Sequence, residues 1–131
     1  MPGPESTGFS YALLRLVPRV ERGEQINVGV IVFSRPLQFL EARTALDEAR
    51  ARSLWDEIDL EAVRAHLRAA ERIAAGDPSA GPIARLDLTA RFHWLVAPSS
   101  TMIQPSEVHA GVCGDPAVEV AKLFAELVEP G

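Results

Sequence analysis

The sequence predicts an α+β fold in which an antiparallel β-hairpin or small sheet comes first, helices follow, and a C-terminal helix packs on the sheet. Apolar runs typical of strands occupy residues 9–17 and 26–33, near the start of the chain. From residue 45 onward the apolar residues recur at helical spacing instead. Because the strands precede the helices rather than alternating with them, an α+β arrangement is favoured over a parallel α/β one.

Residues 9–17 are predicted to form the first strand, and both of its faces become apolar towards its end, as in a central strand. Pro18 ends this strand because proline has no N–H. The charged segment 19–25 contains Gly23 and predicts a hairpin loop. Residues 26–33 form the strongest strand pattern. An exposed apolar edge there would promote aggregation, so we expect this run to lie inside the sheet or to pair across a homodimer.

Capping residues divide the rest of the chain. Asp59 and Asp115 are suited to cap helix N-termini, with Pro116 at the first helical position, and Gly76 is suited to end a helix. The predicted elements are a third strand over 37–44, helices over 46–55, 60–75 and 88–96, short strands around 102–104 and 108–112, and a helix from 116 onward.

Length and composition indicate one domain over residues 1–131, in which residues 1–8 are expected to form a disordered tail. The longest apolar run covers only 28–33, far short of the ~18–20 residues of a membrane span. The single cysteine, Cys113, cannot form an internal disulfide and fits a reducing compartment. The 13 basic and 18 acidic side chains give a net charge of −5 without a basic block, which argues against nucleic-acid binding. We therefore expect a cytoplasmic protein that binds neither membranes nor nucleic acids.

Motifs that carry a known chemistry are absent from the sequence. It has no glycine-rich phosphate or dinucleotide loop, no H-E-x-x-H, no cysteine pair at zinc spacing and no G-x-S-x-G. We therefore predict no metal site and no cofactor. Because no catalytic motif is recognisable, the sequence favours a protein that is not an enzyme.

The first polar cluster lies in the predicted hairpin loop and at the start of the second strand. Arg22 and Glu24 could face a ligand, with Asn27 orienting them. Alternatively the loop is a solvated hairpin, in which Asn27 hydrogen-bonds the turn and Arg22 pairs with a neighbouring acid.

The second polar cluster has no acidic residue between Arg91 and Ser106. Its hydroxyls could bind an anion beside Arg91, and His109 could carry a proton near neutral pH. Alternatively this segment is a buried connector whose hydroxyls bond their own backbone, with Phe92 and Trp94 in the core. The candidate residues of this cluster are Arg91, Trp94, Ser100, Thr101, Gln104, Ser106 and His109.

Cys113 lies just ahead of the last predicted helix. The commonest role of such a residue is that of a small buried hydrophobe. A reactive thiol is the alternative, because a helix N-terminus can lower a thiol pKa.

Several segments of the chain resemble a bacterial family known as domain of unknown function 3037. The matching segments, in the order of the family, are YALLRLVP at 11–18, ERGEQINVGV at 21–30, RFHWL at 91–95, STMIQPS at 100–106, VHAG at 108–111 and DP at 115–116. The resemblance extends from residue 9 to residue 128, with the central helices matching only loosely.

The resemblance implies a small cytoplasmic protein without an established activity, cofactor or catalytic residue. Some members of the family are encoded beside HipA-like serine/threonine kinases, which implies a protein partner in a toxin–antitoxin-like pair. The favoured hypothesis is therefore an interaction or binding module that is accessory to such a kinase. The alternative is a small enzyme or anion-binding protein with a site built from the 19–27 loop and the 91–111 segment. The two differ in whether these segments converge on one pocket.

Overall fold

A computed structural model describes residues 6–99 and 101–129, which fold into an antiparallel sheet and helices, as an α+β fold requires. The strands are β1 (Thr7–Leu16), β2 (Ile26–Ser34), β3 (Phe39–Thr44), β4 (Ile103–Pro105) and β5 (His109–Cys113). The helices are α1 (Glu48–Leu54), α2 (Leu60–Ala75), α3 (Leu88–Leu95) and α4 (Pro116–Leu127), with 3₁₀ turns at Pro78–Ala80 and Ile83–Arg85. Among these described residues, no helix has the length and apolar character needed to cross a membrane.

The sheet has the order β3-β2-β1, and β4 and β5 lie end to end along the other side of β1. The apolar strand β2 therefore lies inside the sheet, as its sequence predicts. Leu14 pairs with Gly29 and Arg15 pairs with Asn27, so Val28 is an extra residue that forms a bulge in β2. A Cβ at Gly29 would lie 3.0 Å from Thr44 Cγ2, which explains the glycine inside this strand.

Aspartate caps set the starts of the helices, as predicted for Asp59 and Asp115. These two side chains accept hydrogen bonds from the backbone N–H groups of Ala62 and Ala117. Gly76 ends α2 with a φ of 72°, a left-handed conformation that glycine adopts without a steric cost. These local signals account for most of the agreement between predicted and observed helices.

The two faces of the sheet are covered by different helices. The first face, called here the α2 face, packs against α1, α2 and α3 and includes Leu16, Ile31 and Phe33. The second, the α4 face, packs against α4 through Val30 and Val32. The C-terminal helix therefore packs on the sheet, as the sequence predicts.

Several element boundaries differ by one or two residues from the sequence-based predictions, and two of these differences have a clear structural cause. β1 begins at Thr7, inside the tail predicted over 1–8, because Thr7 and Gly8 pair with β5; residues 1–5 lie outside the described part of the chain. β3 begins at Phe39 rather than at residue 37, because Gln38 takes a φ of 51° and its N–H donates to Arg35 in a tight turn.

Candidate functional site

The charged hairpin loop forms ion pairs within itself. Arg22 Nε lies 2.5 Å from Glu24 Oε1, and Arg19 Nε lies 2.9 Å from Glu21 Oε1. The hydrogen bond from Arg22 to Glu24 raises the pKa of the arginine. All four side chains are more than a third exposed, as expected for the solvated hairpin of the sequence analysis.

Asn27 contacts the end of a helix rather than the loop. Its Nδ2 donates a hydrogen bond of 3.0 Å to the carbonyl oxygen of Leu127, the last residue of α4. This contact satisfies one of the carbonyls that a helix leaves without a partner at its C-terminus. Asn27 thus ties β2 to α4 across 100 residues of sequence.

Arg91 caps the C-terminus of α2. Its Nη1 donates to the carbonyl oxygens of Ile73 at 3.2 Å and Ala74 at 2.9 Å, and its Nε donates to Leu86 O at 3.1 Å. A Cβ at Gly76 would lie 2.9 Å from Arg91 Nη1, so the glycine leaves the guanidinium its space. A cation in this position is favoured by the helix dipole as well as by the hydrogen bonds.

The hydroxyls after α3 bond to one another and to nearby backbone. Thr101 Oγ1 lies 2.8 Å from Ser99 Oγ and donates to Ile103 O at 2.9 Å, and Gln104 Nε2 donates to Thr101 O at 3.0 Å. Ser100 lies outside the described residues. These local bonds agree with the connector interpretation of this segment.

Two parts of that connector interpretation are wrong. The connector is not buried, because Ser99 and Thr101 are exposed. Phe92 is buried, whereas Trp94 is 49% exposed and does not lie in the core. Two residues along a helix correspond to a rotation of about 200°, so Trp94 faces away from the side of α3 that Phe92 buries.

Ser106 joins β4 to β5 along β1. Its buried Oγ accepts a hydrogen bond of 2.8 Å from Leu13 N–H and donates one of 2.9 Å to Glu107 O. Its own N–H donates to Leu13 O at 2.8 Å. Between β4 and β5 the hydroxyl therefore takes the place of the backbone carbonyl that would otherwise accept from Leu13 N–H.

His109 lies on the α4 face, opposite Tyr11. The two ring centroids are 5.1 Å apart, and His109 Nε2 lies 3.6 Å from Glu107 Oε1. Tyr11 and Arg15 are separated by four residues of β1, or about 13 Å, and Arg15 is the residue that pairs with Asn27. Arg91 lies on the opposite face, against α2. The structure therefore brings neither Arg91 nor His109 to the first cluster. The two clusters approach each other only across β1, where Asn27 and Gln104 pair with Arg15 from opposite sides.

The structure places Cys113 in the core of the α4 face, where it is buried. Burial, followed by the negative charges of Glu119 and Asp115, raises the pKa of the thiol. This direction is opposite to the one that a reactive thiol at a helix N-terminus requires.

Native Cys113 is expected to react with iodoacetamide at least about tenfold more slowly than the unfolded chain at about pH 8, because only the thiolate attacks and the buried site disfavours it. The same raised pKa makes the stability of the fold depend on pH. The contribution of the neutral thiol to the free energy of unfolding is fully present below the pKa of the unfolded chain, about 8.5, and is lost as the pH rises through the higher pKa of the folded protein. Mass spectrometry of quenched samples measures both rates. Equal rates in the native and denatured protein would contradict the prediction.

A groove that the sequence analysis did not identify lies on the α2 face, at the end of the sheet beyond the helices. It has a volume of about 320 Å³ and is lined by Gly8, Phe9, Ser10, Phe33, Arg35, Pro36, Ala110 and Gly111. Along β1 the residues on this face are buried from Leu16 to Ala12, half-buried at Ser10 and exposed at Gly8. The sequence signal was the decrease in side-chain size over the even positions of β1, from leucine to glycine.

Among residues 6–99 and 101–129, no group of three or more His, Cys, Asp or Glu side chains could hold a metal ion.

Comparison with known proteins identifies one family. The profile of the family described as "Protein of unknown function (DUF3037)" matches residues 11–128. No curated protein and no solved structure matches the chain significantly.

Proposed function

The chain belongs to the DUF3037 family of proteins of unknown function, and we propose that it is a protein-interaction module of the bacterial cytoplasm. The observation that carries this proposal is the open groove, the space lined by Gly8, Ser10, Phe33, Arg35 and Ala110 together with the backbone around them. It is the place where the sheet leaves apolar surface without a covering helix.

The contacts of three candidate polar residues argue against a catalytic role for them. Asn27, Arg91 and Ser106 each use their side-chain polar atoms on backbone groups of the chain itself. A catalytic group needs a polar atom directed at a substrate, within hydrogen-bond reach of its chemical partners. The described geometry therefore gives no support to a shared enzymatic site that includes Arg91 or His109.

The chemistry of the open groove defines the partner it suits. Its wall includes Phe33, whose ring stacks on Phe92 with the centroids 4.4 Å apart. At its rim the exposed Arg35 makes no ion pair with any described residue, and only its backbone carbonyl accepts hydrogen bonds, from Gln38. An apolar groove with one uncompensated cation suits a protein segment that carries an apolar side chain beside a carboxylate.

A HipA-like kinase is the specific partner that we propose for this groove. The proposal rests on the resemblance to a family with members encoded beside such kinases. Binding to the kinase would make the chain an accessory of a toxin–antitoxin-like pair. Its physical requirement is an acidic and apolar segment on the kinase surface that reaches the open groove.

Arg35→Glu is expected to weaken binding to the neighbouring kinase about tenfold or more, because it places a carboxylate where a partner carboxylate would bind. Co-purification and calorimetric titration with the purified kinase measure this effect. Arg50→Glu is the matched control, because it makes the same charge change on the exposed side of α1 and should leave the affinity unchanged.

Three outcomes would count against this function. Wild-type protein that neither binds the kinase nor alters its activity would reject the kinase as partner. Binding that Arg35→Glu leaves unchanged would reject the open groove as the docking surface, and equal weakening by both variants would show a general charge effect.

A further inference from the structure

β5 leaves one of its two edges without a hydrogen-bond partner among the described residues. Leu13 directs both its N–H and its C=O towards Ser106, on the β4–β5 side of β1. Because these directions alternate along a strand, Phe9 and Tyr11 also face β5, where Gly111 and His109 oppose them. The N–H and C=O groups of the residues between, Ala110 and Val112, therefore point away from the sheet.

The free edge of β5 lacks the charges, prolines and covering elements that keep exposed edges apart. Val108 is 45% exposed and Val112 is 56% exposed, and the segment from 108 to 113 contains no lysine, acidic residue or proline. The opposite edge strand, β3, carries the ion pair of Glu41 and Arg43 and packs against α2 and α4. Proteins protect edges with charges, prolines or covering elements, so an unprotected edge indicates a surface that pairs with another strand.

We propose that a second copy of this chain pairs with the free edge of β5, antiparallel, about a two-fold axis at Ala110. The pattern of the edge is what selects a second copy. Val108 and Val112 lie two residues on either side of Ala110, so the two-fold places each valine opposite the other valine of the second copy. Such self-complementarity is the property of an isologous interface, in which one surface patch serves both subunits.

The charges and side-chain sizes of β5 fit this register. Ala110 would face its own counterpart and Val108 would face Val112, and each such pair exchanges two backbone hydrogen bonds. His109 would face Gly111 of the second copy, where a Cβ would lie 2.7 Å from Phe9 Cε1 of the same chain, so the position requires glycine. The acidic side chains of the two Glu107 residues would be about 20 Å apart along the strands, so they would repel each other little.

Pairing of this kind would join two five-stranded sheets into one, with the same face of each copy on the same side. The open grooves of the two copies would then lie on either side of the axis, connected by Val108, Ala110 and Val112 of each chain. The proposal does not depend on the kinase interaction, because pairing of the purified chain is measured without any other protein.

Substitutions at Ala110 test the pairing by sedimentation velocity over a range of concentrations. The wild-type chain is expected to form a dimer. Ala110→Pro should raise its dissociation constant at least about tenfold, since proline removes the outward N–H at the axis while the β1 ladder keeps its bonds. Ala110→Val retains the N–H and should dimerise at least as tightly as the wild type. A wild type that stays monomeric at millimolar concentration, or a folded Ala110→Pro variant with unchanged affinity, would overturn the proposal.

Cysteine cross-linking tests the register. Opposed residues in a hydrogen-bonded antiparallel pair have Cα atoms about 5.5 Å apart, within disulfide range, so oxidised Ala110→Cys should form a covalent dimer. Val108→Cys alone should not, because its counterpart lies four residues further along the strands. The natural Cys113 is buried and provides a low background. Cross-linking of Val108→Cys with none of Ala110→Cys would overturn the register.

Discussion

Arg91→Met is expected to lower the free energy of unfolding by about 3 kcal/mol, the largest effect that we expect among the candidate polar residues. The guanidinium donates to three carbonyl oxygens, two of which belong to the last turn of α2. Ile73 O also accepts from Gly76 N–H, whereas Ala74 O has only Arg91 as a partner among the described residues. Methionine keeps much of the apolar stem, so the loss reports the charge-assisted hydrogen bonds and the favourable interaction with the helix dipole. Chemical denaturation of the purified variant measures the change.

The location of the Arg91 effect distinguishes a cap from a ligand-binding residue. Hydrogen exchange should become faster in the last turn of α2, near Ile73 and Ala74, before it does so in β2. Arg50→Met, on the exposed side of α1, is the control and should change stability by no more than about 0.5 kcal/mol. Equal stabilities of the two variants would mean that Arg91 does not hold the helix end and is available for a ligand.

The regular elements could be predicted because their signals are local. The β-branched residues Val28, Val30, Ile31 and Val32 predict a buried strand without knowledge of its neighbours in the sheet. Asp59 and Gly76 fix both ends of α2 through hydrogen bonds and backbone conformations within a few residues. The α+β class follows from the order of such elements, so it did not require knowledge of tertiary contacts.

The roles of the polar residues could not be predicted, because their partners are backbone groups far away in sequence. Asn27 donates to the carbonyl of Leu127, and Arg91 donates to that of Ala74. Every residue has a carbonyl, so no residue type marks either partner. Polar residues that are adjacent in sequence can therefore resemble a site while each of them holds a different part of the fold.

The open groove was missed for a different physical reason. Its lining depends on which part of the sheet the helices cover, which is a matter of packing rather than of sequence periodicity. Gly8 and Ser10 continue the face that Ala12 and Leu14 begin, but no helix covers them. The sequence shows the small side chains directly, but it does not show that no helix covers them.

Ser106→Ala is expected to lower the free energy of unfolding by about 2 kcal/mol, because it leaves the buried N–H of Leu13 without its acceptor. Ser99→Ala removes a hydroxyl from the same polar segment and is the matched control; Ser99 is exposed, so the change should stay within about 0.5 kcal/mol. Thermal and chemical unfolding of both variants give the comparison.

The Ser106 result also separates a structural hydroxyl from a chemical one. A hydroxyl that bridges β4 and β5 to β1 should, when removed, speed hydrogen exchange at Leu13. A nucleophilic hydroxyl would instead not be the acceptor of a buried backbone N–H, so its loss would leave the stability unchanged. A Ser106→Ala variant as stable as the wild type, with Leu13 still protected, would therefore contradict the structural role of Ser106 and leave its hydroxyl available as a nucleophile.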